Sequence, residues 1–169
     1  MAGAAVILNR SNSRPSTSSG AVPISPGLPS GKGRSDENFP VASWLLAKNI
    51  RPHVIAFYDF ARAADDIADS SSIPPDDKLS RLDSTARTLT GADDASGHYD
   101  TAIRLRESLE KWGGTPSHAL DLIAAFKQDA KKTRYSDWHE LVSYCELSAN
   151  PVGRFLLDIH GEDSAGYPA

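Results

Sequence analysis

An all-α fold is predicted by three observations. No stretch alternates apolar and polar residues with period two, the apolar residues recur instead at spacings of three and four, and Pro40, Pro52 and Pro116 fall where helices would start. The chain shows no internal repeat and no CxxC, HExxH, P-loop or dinucleotide fingerprint, so about six helices must carry whatever chemistry it has.

Taken in order, residues 1–35 are rich in Ser, Pro and Gly, with Arg10, Arg14, Lys32 and Arg34 and no acidic residue. Such a composition buries too little apolar surface to order itself, which predicts a disordered arm. The apolar run from Ala4 to Leu8 is too short for a secretory signal. The acid-poor, Ser-rich start overlaps in composition with organelle transit peptides but lacks an amphipathic period. Order is expected from residue 36, in one domain reaching residue 169. Pro40 suits the first turn of a helix through Trp44, Leu45 and Leu46, with Asn38 or Phe39 at its entrance. Pro52 suits the first turn of the next, which spans residues 50–69.

Residues 70–75, with Pro74 and Pro75, read as a loop. A helix over 78–90 turns Leu79, Leu82, Ala86 and Leu89 inward, and 91–98 is a turn. Asp100 or Thr101 caps the next helix, which carries Ile103, Leu105 and Leu109 and stops at Gly113-Gly114. Thr115 as cap and Pro116 at the first position open a helix with Leu120, Leu122, Ile123 and Phe126 inward and Asp129 near its end. Ser136 caps a last helix over 137–159, built on Trp138, Leu141, Tyr144, Cys145, Leu147, Val152, Phe155 and Leu156. Pro151 inside it predicts a kink at Ser148-Ala149-Asn150, or a helix that ends there.

Composition narrows the function classes. A chain of 169 residues, 40% hydrophobic and 24% charged, has the make-up of a globular domain that buries a core. Net charge of −4 without a basic patch in the ordered part argues against a nucleic-acid partner. No window of 18 apolar residues is present to span a bilayer. Cys145, the single cysteine, has no internal partner for a disulfide and fits a reducing, cytoplasmic setting, as a small buried apolar residue rather than a nucleophile.

The most informative stretch is Arg62-Ala63-Ala64-Asp65-Asp66-Ile67-Ala68-Asp69. Residues four apart share a helix face, so Asp65 and Asp69 present two carboxylates together, with Asp66 flanking and Arg62 one turn earlier. Like charges at that spacing cost a few tenths of a kcal/mol, and the helix C-terminus is itself unfavourable to anions. A cation explains the arrangement: oxygen ligands on one face suit Mg2+, which joins one or two carboxylates to a substrate phosphate. A solvated acidic helix end is the alternative. Val54, Ile55, Phe57, Tyr58 and Ala61 make the preceding turns apolar, which predicts a buried helix whose acidic end lines a cavity.

Three motifs occur in the order seen in the squalene and phytoene synthases. They are Asn38-Phe39-Pro40-Val41-Ala42-Ser43, then the segment from Phe57 through Tyr58 and Arg62 to Asp69, then Tyr144-Cys145-Glu146-Leu147-Ser148-Ala149-Asn150-Pro151-Val152-Gly153. Residues 36–163 resemble that family, most of all its hydroxysqualene branch, because Asp36-Glu37-Asn38 stands where farnesyl-condensing members tend to carry Ser or His. The resemblance implies the α-helical isoprenoid synthase fold and a prenyl diphosphate substrate, presqualene or farnesyl diphosphate, in hopanoid or squalene biosynthesis. It implies Mg2+ held by Asp65, Asp66 and Asp69, catalytic roles for Tyr58, Arg62 and Tyr144, and substrate contacts from Asn38, Phe39, Arg62, Ala149 and Gly153. Asp129 matches a family acidic position, with a helix-surface aspartate the equal alternative. Membrane-borne substrate implies peripheral membrane contact.

The family's second aspartate-rich motif is expected shortly after His160-Gly161-Glu162-Asp163 and is not reached, so the resemblance implies an N-terminal fragment, a truncated gene product or half of a split gene, the last of which would take a complementing C-terminal half as partner. Three functions are therefore open. They are ionisation of presqualene diphosphate with water capture to give hydroxysqualene, head-to-head condensation of two prenyl diphosphates, and a non-catalytic helical fragment or interaction module.

Overall fold

Proline sets three of the helix starts. The computed structural model describes residues 46–93, 99–132 and 134–162. It places prolines in the first turns of α1 (Arg51–Asp69), α2 (Pro75–Leu89) and α6 (Asn150–Ile159). There a missing N–H leaves no helical bond unmade. Between them run α3 (Asp100–Trp112), α4 (Ser117–Asp129) and α5 (Trp138–Ser148). All six described elements are helices.

α1 and α4 form the centre. α1 packs on α2, α3 and α4, while α4 also meets α2, α5 and α6. Val54, Phe57, Phe60, Ala64 and Ile67 make one buried stripe of α1, at the three- and four-residue spacings of an amphipathic helix. They join Leu82 and Leu89 of α2, Leu105 and Leu109 of α3, and Leu122 and Ile123 of α4 in a single cluster. Phe155 of α6 enters the same cluster. Its ring stacks on Phe57 at 4.0 Å and meets the edge of Trp112 at 6.0 Å, which fastens α6 to α1 and α3. Polar pins add direction: His53 Nδ1 lies 2.7 Å from Ser108 Oγ between α1 and α3, and His118 Nε2 lies 2.7 Å from Asp158 Oδ2 between α4 and α6.

Several boundaries differ from the sequence expectation. α2 begins at Pro75, not residue 78, because Pro75 occupies its first position and Asp76 and Asp77 complement the N-terminal dipole. Thr85 and Thr88 are buried in it, and the Thr85 hydroxyl donates to Arg81 O at 2.9 Å, so hydroxyls fill positions that apolar counting overlooks. α3 starts at Asp100 without a side-chain cap and ends as expected at Gly113. That glycine's φ of 79° lets its N–H reach Leu109 O at 2.9 Å. α4 starts one residue later than expected, since the Thr115 hydroxyl pairs with the Ser117 hydroxyl at 2.7 Å and caps no backbone N–H. α5 is capped by Asp137, which accepts the Glu140 N–H at 2.9 Å, while Ser136 N donates to Glu140 Oε2 at 2.6 Å. The expected cap, Ser136, lies one residue outside.

The expected 137–159 helix is divided at Ala149, where Pro151 starts a new helix and Val152 N donates back to Ala149 O at 3.2 Å. α5 buries none of its residues. Trp138 is 76% exposed, Val142 38% and Val152 42%, contrary to the core roles expected of Trp138 and Val152, and Cys145 is only half-buried. The expected helix over 40–46 lies outside the described residues except for Leu46, which sits in a bend leading to the turn before α1. The arm 1–35, Asn38, Phe39 and most of the turn 91–98 also lie outside them. No described helix is long and apolar enough to cross a membrane.

Phe155→Ala is expected to lower the unfolding free energy by about 3–5 kcal/mol in urea melts, because a stacked, fully buried ring leaves a cavity. Trp138→Ser should stay within about 0.5 kcal/mol of the parent chain.

Candidate functional site

The buried stripe of α1 decides which way its acidic end faces. With Ala64, Ile67 and Ala68 turned into the core, Arg62, Asp65 and Asp66 fall at the boundary, and Asp69, the last residue, is left exposed. Sequence spacing placed Asp65 and Asp69 inward with Asp66 as flank. In the fold Asp66 is instead the best covered, its side chain 14% exposed against 33% for Asp65. Arg62 Nη1 donates to Asp65 Oδ2 at 2.8 Å and Nη2 to Asp66 Oδ1 at 3.3 Å, so one guanidinium fork spans both carboxylates. At the end of α1, Lys78 Nζ donates to Ala68 O at 2.5 Å, which offsets the C-terminal dipole.

Asp65 nevertheless holds its proton more tightly than an ordinary aspartate. Burial is the main cause and the charge of Asp69 the next; Arg62 pulls the other way, and Asp66 and Asp129 add to the rise. Asp129 belongs to α4, so the negative field at Asp65 comes from two helices. Asp129 in turn accepts the Tyr144 hydroxyl at 2.8 Å and, at a longer 3.5 Å, that of Tyr135. The two rings lie 4.9 Å apart, and the Tyr144 phenol is pushed well above its usual range by burial and by the Asp129 hydrogen bond. Tyr58, half-buried, packs against the core one turn before Arg62.

Ala149 and Gly153 are exposed, and a Cβ added at Gly153 would meet nothing within 4 Å. Arg62, Asp65, Asp66 and Asp69 thus come together, and Asp129 links them to Tyr144. Sequence reasoning passed over Tyr135 and weighed Asp129 evenly, because the loop between α4 and α5 erases any helical spacing from 129 to 144. Two clefts of described residues, of about 410 and 220 Å3, are lined by Trp112, Asp158 and Glu162 and by Leu89, Arg106 and Glu110, not by the acidic cluster.

The donor set is all oxygen and already repels itself at Asp65, which fits a hard cation. Among the described residues no three His, Cys, Asp or Glu side chains form a group able to hold a metal ion.

Residues 32–168 match the squalene/phytoene synthase family. The chain belongs to the squalene/phytoene synthase family. It is 47% identical over 148 residues to a hydroxysqualene synthase of Sinorhizobium fredii, covering 84% of this chain and 50% of that protein. To a hydroxysqualene synthase of Rhodopseudomonas palustris it is 47% identical over 142 residues, 84% of this chain and 48% of that one. A phytoene synthase of Mycobacterium tuberculosis is 27% identical over 124 residues, 73% of this chain and 40% of that protein. No solved structure matches at a significant level. The chain spans about half the length of the curated relatives it matches. All six described helices of this family member lie within the matched residues.

A carboxyl whose folded pKa is raised stabilises the fold below its unfolded pKa of about 3.9 and loses that contribution as pH rises through the folded value. Asp65→Asn is accordingly expected to raise the melting temperature at pH 7 by a few degrees, on the order of the shift that small stability gains produce. The gain should vanish near pH 3, below the ordinary aspartate pKa. Scanning calorimetry at both pH values reads it.

Proposed function

We propose that this chain carries the first metal-diphosphate site of a hydroxysqualene-forming synthase, one that ionises presqualene diphosphate and lets water capture the cation. The observation that carries it is the acidic end of α1, where Arg62 spans Asp65 and Asp66 and the charges of Asp69 and Asp129 also act on Asp65. Similarity to hydroxysqualene synthases of two organisms supports the choice of reaction. In balanced form, the C–O bond to diphosphate breaks, the cyclopropylcarbinyl cation rearranges and its three-membered ring opens, a water oxygen bonds to the carbon that then bears the charge, and the proton of that water leaves with the buffer or the diphosphate.

Asp65, Asp66 and Asp69 would hold Mg2+, which when bound supplies positive charge to the leaving diphosphate. Arg62 offsets part of the charge of the carboxylates beside it and keeps them in register, so that the cluster does not have to order itself when the polyanion arrives. Tyr144 offers a π face that steadies positive charge, and Tyr58 packs the turn that carries Arg62. Asn38 and Phe39 would complete the substrate contact from the N-terminal side, with Ala149 and Gly153 offering small side chains. The exposed Trp138, Val142 and Val152 favour a site completed by further polypeptide equivalent to the length of the relatives that this chain does not span. Peripheral contact with the membrane that holds the substrate belongs to the same proposal.

Calorimetry with a farnesyl diphosphate analogue is expected to show binding that needs Mg2+ and weakens about tenfold, or about 1.4 kcal/mol, in Asp65→Asn and Asp69→Asn. Equal binding by the parent and both variants would count against the site. Incubation with presqualene diphosphate and Mg2+, with and without a complementing polypeptide, should yield hydroxysqualene in the complemented mixture, and squalene or phytoene there instead would reassign the reaction.

A further inference from the structure

Tyr144 is tied down more firmly than a substrate-facing aromatic needs for packing alone. It sits on α5, the helix with no buried residue, yet its hydroxyl donates to Asp129 on α4 at 2.8 Å. Ser148, one turn on, partly offsets the rise in the phenol's pKa. Tyr135, in the loop between the two helices, lies with its ring 4.9 Å from that of Tyr144 and its own hydroxyl on the same carboxylate. Lys132 stands 5.2 Å from the Tyr135 ring centroid and pairs with Glu140, whose carboxylate also takes the Ser136 N–H at the start of α5. A short, exposed helix is thereby fixed to α4 through one carboxylate and a braced aromatic pair.

We infer that Asp129 is a positioning residue for Tyr144, braced by Tyr135, holding the phenol so that its ring meets the hydrocarbon part of a prenyl substrate. The assignment of prenyl chain to the Tyr144 ring rests on the proposed function. The geometry of the clamp does not. The Tyr144 proton is committed to Asp129, so the residue acts through the placement of its ring rather than by giving a proton to the substrate. Asp129 also adds negative charge at Asp65, so removing it relaxes the acidic cluster instead of depriving it of a ligand.

The test uses the full 169-residue chain with 13C-labelled tyrosine, the ring signals assigned through Tyr144→Phe and Tyr135→Phe. In the parent chain Tyr144 is expected to stay protonated at about pH 11, above the ordinary tyrosine midpoint. In Asp129→Asn its midpoint should fall by about one pH unit or more, and Asp129→Glu, which keeps the charge, should hold it high. A farnesyl diphosphate analogue with Mg2+ should move the Tyr144 ring signals in the parent and move them much less in Asp129→Asn. Inorganic pyrophosphate with Mg2+ should bind Asp129→Asn within about twofold of the parent, while Asp65→Asn loses about tenfold.

An unmoved Tyr144 midpoint in Asp129→Asn overturns the positioning role. So does a farnesyl analogue that binds without disturbing the ring. Loss of pyrophosphate binding in Asp129→Asn equal to that in Asp65→Asn would make Asp129 a metal ligand and overturn it as well. A parent chain that binds no pyrophosphate with Mg2+ sinks the proposed function instead, and the phenol midpoint then decides the Tyr144–Asp129 clamp by itself.

Discussion

The burial of one stripe of α1 is the constraint on which the rest depends. Phe57, Phe60, Ala64 and Ile67 are all but removed from solvent against three other helices. Each large side chain so buried contributes about 1.5–3 kcal/mol. That far exceeds the few tenths by which the acidic residues disfavour their own helix. The core therefore dictates the rotation of α1, and the rotation dictates where Arg62, Asp65 and Asp66 stand. The carboxylates are held close to one another because the hydrophobic contacts on the opposite face leave them no other arrangement.

This division of labour explains why the acidic cluster is half-buried rather than either sunk or solvated. A carboxylate taken fully from water loses its charge unless paired, and one left in bulk solvent feels little of its neighbours. Asp66, the best covered, and Asp65 share the Arg62 fork, while Asp69 keeps its water. Asp65 is held above the ordinary aspartate range despite that pairing, because burial first, and then the charges of Asp69, Asp66 and Asp129, outweigh one guanidinium. Stability would be served by replacing a carboxylate at Asp65, where burial and the neighbouring negative charges both work against ionisation.

Much of this was legible in the sequence, for reasons that differ by element. α1 could be read almost to the residue because Pro52 and the apolar spacing from Val54 to Ile67 agree with each other and with the fold. Gly113 stopped α3 where its left-handed backbone was needed. The start of α2 was misplaced because two adjacent prolines read as loop while the second of them is a helix N-terminus. Trp138 was misassigned because apolar periodicity says which residues share a face but not whether a neighbour covers it. The order of burial among Asp65, Asp66 and Asp69 was likewise out of reach. It depends on Ile67 and Ala68 taking the inward positions of the final turn, a matter of a fraction of a helical turn.

The link from Asp129 to Tyr144 shows what local pattern does not carry. Fifteen positions separate the two residues, and the intervening loop breaks the register, so no spacing rule connects them. What brings them together is α5 folding back on α4. That return is stabilised by capping at Asp137 and Glu140, the Lys132–Glu140 pair and the contact of two tilted tyrosine rings, on a helix that buries none of its residues. A helix held by polar and aromatic contacts can be fixed in direction while its outer face stays open. Tyr144 can then be rigid and approachable at once, a combination that a helix buried on its own core face would not provide.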